Sequence, residues 1–290
     1  MARIRVRKLA TRGLKGLVRA GRAWFGVRRV AGYATAGNRM VPGVLVIGAQ
    51  KSGTTSLFRY LCGFEEFARP ERFELHYFDM NYYRDYRWYL SHFPLGTNRG
   101  TVRITGEKTP YYLFHPAVPA RVKATLPGVK LIAVLRDPVK RAYSHYHHNR
   151  KLGLEPEPSF LRALEREEER LAGAADRLLD PLAESKAHQY FSYLSRGRYG
   201  EQMQRWLEYF PMDRILVLSS SELFREPRRV MEQVGTFLGI QRLRLTEFGV
   251  HTSTSYPPLS EEERGRLAAY YREYNERLFE LVGREFDWER

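Results

Sequence analysis

The stretch Val44 to Leu57, VLVIGAQKSGTTSL, decides how the rest of the chain is read. Val44 to Ile47 are apolar and largely β-branched, the composition of a strand covered on both faces in a parallel sheet. Gly48 breaks that run. Ser52, Gly53, Thr54 and Thr55 then offer hydroxyls for an N-cap and a residue free to take unusual dihedrals, and Ser56 to Leu61 resumes as a helix. A strand, a glycine turn and a helix N-terminus gather free backbone N–H groups and the positive end of a helix dipole at one point, which makes an anion site.

Spacing separates this loop from its commonest counterpart. In the nucleotide-triphosphate loop GxxxxGK[ST] the lysine follows the second glycine. Here Gly48 and Gly53 keep the five-residue separation, but the lysine is Lys51, before Gly53, and Thr54 follows it. A lysine so placed meets a phosphate chain from another side. An incidental turn after a buried strand is the bland alternative, and it leaves the ordered coincidence of strand, glycines, lysine and hydroxyls without a reason.

The chain of 290 residues is long enough for one large α/β domain, and 43% hydrophobic and 13% aromatic content is that of a globular protein. Its one cysteine, Cys62, excludes an intrachain disulfide and a zinc site built on several thiolates, and reads as a buried structural thiol rather than a nucleophile. The net charge of +15 is unevenly spread. Residues 1–42 hold eleven Lys or Arg and no acidic residue, which leaves +4 for the other 248. Residues 1–42 are therefore set apart as a basic arm, either solvated or amphipathic on an anionic membrane surface, with an organellar targeting peptide as a third option. No apolar run in it is long enough to span a bilayer or to serve as a secretory signal. The expectation is a cytoplasmic protein, peripheral on the inner face of a membrane if the arm is amphipathic. Nucleic acid is an unfavoured partner, because the body is only mildly basic.

Strands and helices alternate along the remainder. Phe64 to Arg72 reads as an irregular link, Phe73 to Asp79 as a short strand or extended loop, and Asn81 to Phe93 as a helix. Further helices are expected at Pro116 to Leu126, from Pro138, at Tyr199 to Phe210 and across 159–172, 226–238 and 260–282. Lys130 to Leu135 and Ile215 to Leu218 are the second and third buried strands. The fold class is α/β, a P-loop-like parallel sheet with helices on both faces and ligands beyond the strand C-termini.

Two further groups carry chemistry. In LRDPVKRAYSHY a strand delivers Arg136 to the ligand edge, with Ser144 eight residues on; an arginine fork and a hydroxyl suit a second phosphate. An Arg136–Asp137 structural ion pair is the competing reading. In FELHYFD, Glu74 and His76 fall on one side of an extended segment, with Asp79 near, and a carboxylate beside an imidazole can act as base and partner; surface Glu and His pairs are common otherwise. His145 and His148 lie one helical turn apart with no acidic or thiolate cluster to complete a metal site. Tyr82, Tyr83, Tyr86, Trp88 and Tyr89 interleave with Arg84 and Arg87, as in a packed helix with snorkelling arginines or a platform for sugars or bases.

Taken in order, GAQKSGTTS, FELHYFD, GEKTPYY, LRDPVKRAYSHY, RGRYGEQMQRWLEYFP and LFELVGREFDW resemble the sulfotransferases that use 3′-phosphoadenosine 5′-phosphosulfate (PAPS). The likeness runs from about Val44 to Trp288 and is nearest to the domains that modify heparan sulfate glucosamine and their bacterial relatives. It implies a sulfotransferase domain over 43–290 that moves a sulfuryl group to a hydroxyl or amine, on a carbohydrate or glycolipid, and releases adenosine 3′,5′-bisphosphate (PAP) without a metal. Under it Lys51, Ser52, Gly53, Thr54 and Thr55 take the 5′-phosphosulfate, and Arg136 and Ser144 the 3′-phosphate. Glu74 is the general base with His76 beside it, and Lys108 faces the acceptor or the sulfuryl group. This chain departs from those enzymes at Phe73, where they carry lysine, and at Thr252, Ser253 and Thr254, where they carry a basic loop framed by a disulfide. An ATP- or GTP-dependent kinase and a basic nucleic-acid or membrane-surface module are the alternatives.

Overall fold

Val44 and Val46 point to one face of a sheet and Leu45 and Ile47 to the other, and all four are wholly buried. That follows from the two-residue period of a strand with apolar positions throughout. The computed structural model describes residues 32–96, 101–249 and 256–288. Within them β1 (Val44–Gly48), β2 (Phe67–Ala68), β3 (Ile104–Lys108), β4 (Lys130–Leu135) and β5 (Ile215–Ser219) form one parallel sheet in the order β2-β3-β1-β4-β5.

Seven helices pack on it or beside it: α1 (Thr54–Leu61), α2 (Val118–Thr125), α3 (Pro138–Lys151), α4 (Tyr199–Leu207), α5 (Ser220–Arg225), α6 (Pro227–Leu238) and α7 (Glu261–Val282), and further short helices lie between them. Leu45, Ile47, Leu131 and Ala133 meet α2, α4 and the end of α7 on one face. Val44, Val46, Ile132 and Val134 meet α1, α5 and α6 on the other. A third cluster, around Val139, Tyr146, Phe160, Tyr193 and Tyr271, joins α3 to α7 and to the segment after residue 155. The sheet is thus covered on both faces, as expected. β1 and β3 approach so closely at Gly106 that a Cβ there would lie 2.1 Å from the Val44 carbonyl oxygen.

Several local expectations are corrected. Five strands are present rather than three, because β3 reads ITGEK and buries polar side chains that find partners: Thr105 Oγ1 donates to the Ala68 carbonyl at 2.7 Å, and Glu107 and Lys108 are likewise paired. Phe73 to Asp79 is not a strand. His76 takes a left-handed conformation (φ 51°) and the chain turns into a short helix, Tyr77–Met80. Only Tyr86–Leu90 of the Asn81 to Phe93 stretch is helical, since the Asp85 side chain caps it by accepting from Arg87 N at 2.6 Å. The 159–172 helix is two, Phe160–Glu165 and Glu167–Leu171. α1 begins at Thr54 behind Gly53, with no side-chain cap, so the loop hydroxyls do not serve as its N-cap.

Residues 1–31, and with them most of the basic arm, lie outside the described residues. Residues 32–42 pack on the body: Gly96 N donates to Asn38 O at 2.7 Å, Met40 N to Pro94 O at 2.9 Å and Tyr33 Oη to Asp85 at 3.0 Å. No helix among the described residues is long and apolar enough to cross a membrane.

Candidate active site

The C-terminal ends of β1, β3, β4 and β5 open into a cleft of about 700 Å³, where ligands of open parallel sheets lie. The loop after β1 forms one wall. Ala49 N donates to Val134 O at 2.8 Å, which carries the β1–β4 pairing past the strand. Lys51 (φ 70°) and Gly53 (φ 96°) are then both left-handed, and this double reversal turns the loop back into α1. Lys51 and His76 are the only non-glycine residues of positive φ among the described residues, and both line the cleft. Such backbone costs about 1–3 kcal/mol per residue and persists only where the surroundings impose it.

Gly53, Thr54 and Thr55 line the cleft with Lys51, whereas Ser52 is wholly buried behind the loop. Burial first, then Arg136 and Lys151, hold the Lys51 ammonium below its ordinary pKa. Among the described residues no carboxylate pairs with Lys51 or Arg136. Arg136 Nη1 donates to Lys51 O at 3.1 Å, and Tyr199 Oη donates to the Arg136 carbonyl at 2.9 Å, so the arginine is tied to the loop and to α4.

Asp137 does not pair with Arg136. Its carboxylate caps α3, accepting from Val139 N at 2.8 Å and Lys140 N at 3.0 Å, which removes the structural ion pair as an account of this motif. On α3, Lys140, Ser144 and His148 recur every four residues and line the cleft. His145 is fully buried. Burial and the surrounding Arg196 and Arg141 keep its imidazole well below the ordinary value, and its ring nitrogens have no hydrogen-bond partner. No group of three or more His, Cys, Asp and Glu that could hold a metal exists among the described residues.

Across the cleft stands Glu74. One carboxylate oxygen accepts from Lys108 Nζ and the other lies 3.7 Å from His76 Nε2, while His76 Nδ1 is 2.7 Å from Asp79 Oδ2. Burial alone would raise the Glu74 pKa, but His76 and Lys108 outweigh it and hold it down to about 2. Burial likewise opposes protonation of His76, and Asp79 and Glu74 outweigh it, raising the imidazole to about 10. Lys108 reaches Glu74 from beneath and is itself almost fully buried. Glu74 and His76 do share a side, although a left-handed turn rather than a strand brings them there.

The segment carrying Glu74 is fixed by β3. Lys108 N donates to Phe73 O at 2.9 Å, and the buried Glu107 accepts from Leu75 N at 3.1 Å, Tyr89 Oη at 3.0 Å, Thr109 Oγ1 at 2.9 Å and Tyr112 Oη at 3.0 Å. Burial pushes Glu107 up to about 7 in spite of these donors. Phe73 packs edge-on against Phe58 at 4.9 Å between ring centres, so the position where the resembling enzymes have lysine is apolar and half-buried against the core.

Arg196 is a further constituent that nothing in the local pattern marks. It is buried, donates to Gln50 Oε1 behind the loop, to His188 O at 3.0 Å and to Gln189 O at 2.7 Å, and lies over Tyr111 and Phe114. Burial pulls its guanidinium below the ordinary value, with Tyr111 opposing. Gln50, Lys140, Tyr111 and Trp288 also line the cleft. Arg196 opens the RGRYGEQMQRWLEYFP block, whose pattern assigns it no role. In the Tyr82 to Tyr89 run, Tyr89 is wholly buried and stacks on Tyr77 at 4.5 Å, Tyr82, Tyr86 and Trp88 are partly buried against the core with Arg84 over Trp88, and Tyr83 is exposed. Cys62 is half-buried and burial pushes its thiol up to about 11, the behaviour of a packing residue. Thr252, Ser253 and Thr254 lie outside the described residues.

Unpaired cations at a helix N-terminus, facing an ionised carboxylate across a cleft, suit transfer of an anionic group from a phosphate-bearing donor to an acceptor that must lose a proton. Comparison with known proteins agrees. The sulfotransferase domain model matches residues 42–256. The membrane-associated sulfotransferase kil1 of Dictyostelium discoideum is 27% identical over 314 residues, covering 86% of this chain and 67% of that protein. Heparan sulfate glucosamine 3-O-sulfotransferase 6 of Homo sapiens is 30% identical over 278 residues, covering 87% of this chain and 75% of that protein. The crystal structure of a sulfotransferase from Alicyclobacillus acidocaldarius superposes with a TM-score of 0.67 at 29% identity, over 85% of this chain and 98% of that one. The loop, the carboxylate opposite it and the extent of these matches together make the chain a member of the sulfotransferase domain family.

Proposed function

We propose that this chain moves the sulfuryl group of PAPS to a hydroxyl or amine of a carbohydrate acceptor, by in-line displacement at sulfur with Glu74 as general base. The observation that carries the reading is the pairing of two cations without a carboxylate partner, Lys51 before α1 and Arg136 at the end of β4, with the ionised Glu74 across the same cleft. Relatives named for heparan sulfate glucosamine support a sugar acceptor.

In this reading Lys51 and the Gly53 to Thr55 backbone hold the 5′-phosphosulfate, and Arg136 with Ser144 holds the 3′-phosphate. Ser52, buried behind the loop, contributes through its backbone. The acceptor oxygen or nitrogen bonds to sulfur as the sulfur–oxygen bond to the 5′-phosphate breaks; the acceptor proton passes to Glu74, and PAP departs with the phosphate charge neutralised by Lys51. His76, fixed by Asp79, orients Glu74. Lys108 keeps Glu74 ionised and is placed to meet the incoming sulfuryl oxygens or the acceptor. A carboxylate with a pKa of about 2 is a weak base. It suffices if the proton leaves late, once bonding to sulfur has made the acceptor acidic, as a loose transition state allows.

The test is labelled-sulfuryl transfer by the Lys51→Ala and Glu74→Gln variants, with PAP affinity measured by calorimetry. Both variants should lose most turnover, and only Lys51→Ala should also weaken PAP. Near-normal transfer by both would remove the mechanism. Unchanged PAP affinity in Arg136→Ala would remove the 3′-phosphate assignment.

A further inference from the structure

Beyond Glu74 and His76 lies a second depression of about 340 Å³, and Tyr111, Gln189 and Tyr190 line both it and the main cleft. The two differ in charge. Lys51, Arg136, Lys140 and Arg196 line the first, against Glu74, Asp137 and Asp287, so cations are in excess there. Among the described residues lining the second, the only Lys or Arg is Lys186, accompanied by the exposed carboxylate of Glu184, while the buried Asp79 carboxylate is paired with His76. His115 adds no positive charge, since burial holds it down to about 4.

Two arginines lie close by and are committed elsewhere. Arg84 donates to Asn81 Oδ1 at 3.0 Å and lies over the Tyr83 and Trp88 rings; Arg121 is buried against the carbonyls of Phe78, Asp79 and Leu178. The depression offers instead aromatic faces and an amide. Tyr83 is 54% exposed, and Tyr190 and Gln189 are partly open. A polyanionic glycan needs cations along its length to offset its charge and the loss of its hydration. An uncharged sugar needs flat apolar surface for its C–H faces and polar groups for its hydroxyls.

We propose that the acceptor seated in this depression is an uncharged saccharide, and that sulfated or uronate-bearing polymers are poor acceptors for this chain. The inference rests on the sulfuryl-transfer reading above and narrows its acceptor.

With labelled PAPS, the full chain is offered neutral cello-, chito- and galacto-oligosaccharides beside heparin- and chondroitin-sulfate-derived oligosaccharides of matched length. Transfer should favour the neutral set, with an acceptor KM insensitive to added salt. Tyr83→Ala should raise that KM about fivefold with donor KM unchanged, and Glu184→Lys should improve polyanions relative to wild type. Transfer confined to the polyanions, or no neutral sugar binding to the PAP-loaded protein, overturns the proposal. PAP affinity on the same samples separates the two levels: intact PAP binding leaves the donor site standing when the acceptor class is wrong, and its absence brings down the parent reading.

Discussion

Glu74 and His76 favour each other's charged forms, with Lys108 adding to the hold on Glu74 and Asp79 to that on His76. The two contribute to stability over different pH ranges. Glu74 falls from its ordinary 4.5 to about 2, so its contribution is present above 4.5 and is lost as pH drops towards 2. His76 rises from 6.5 to about 10, so its contribution is whole below 6.5 and is lost as pH climbs through 10. Urea unfolding of wild type and His76→Gln should therefore show a stability gap that is widest near pH 6 and narrows towards pH 10. A gap independent of pH over that range would mean that His76 is not held as a cation by Asp79 and Glu74. At the same scale, Arg136 has no carboxylate partner in its neighbour Asp137, which is engaged as the cap of α3, and its guanidinium bonds the Lys51 carbonyl instead.

At the scale of elements, the site depends on how closely β1 and β3 run. Gly106→Ala would drive a Cβ into the Val44 carbonyl, whose backbone cannot yield without opening the ladder. The expected cost is about 3 kcal/mol or more, read as a lower urea midpoint, with turnover falling as Lys108 and Glu107 lose register. A midpoint matching wild type would contradict the spacing. β1, β4 and β5 are legible in the sequence because burial on both faces leaves them continuously apolar. β3 is not, because Glu107 and Thr105 are buried against partners such as Leu75, Tyr89 and Ala68 that lie 18 to 37 residues away, and no local pattern announces those partners. The same distinction runs through the site. Lys51 and Arg136 are legible because strand ends in a parallel sheet mark the ligand edge. Arg196 and Gln50 meet across 146 residues, a pairing that only the tertiary fold creates. The proximity of Glu74 to His76 was legible, and its cause, a left-handed turn, was not.

For the whole molecule the division of charge is the main fact. Residues 1–31 carry ten of the Lys and Arg residues, and the packed stretch 32–42 adds only Arg39. Arg39 belongs to the body, since it donates to the Phe93 carbonyl and the Thr35 hydroxyl. A chain starting at Gly32 should therefore fold and turn over as the full chain does, and should lose salt-sensitive binding to vesicles rich in anionic lipid. Equal vesicle binding by both would show that the basic arm is not the attachment; loss of turnover would show that residues 1–31 support the site. Arg196 bears on the molecule as a whole in another way. Its one guanidinium grips Gln50 of the loop after β1 and the carbonyls of His188 and Gln189, on the side of the cleft shared with the second depression. The expectation is that PAP and acceptor each shift this shared guanidinium and are coupled through it, and such coupling is reciprocal: PAP alters acceptor affinity by the factor by which acceptor alters PAP affinity. Calorimetry in either order of addition should give the same factor, and Arg196→Lys, which keeps the charge and loses the fork, should bring it close to one.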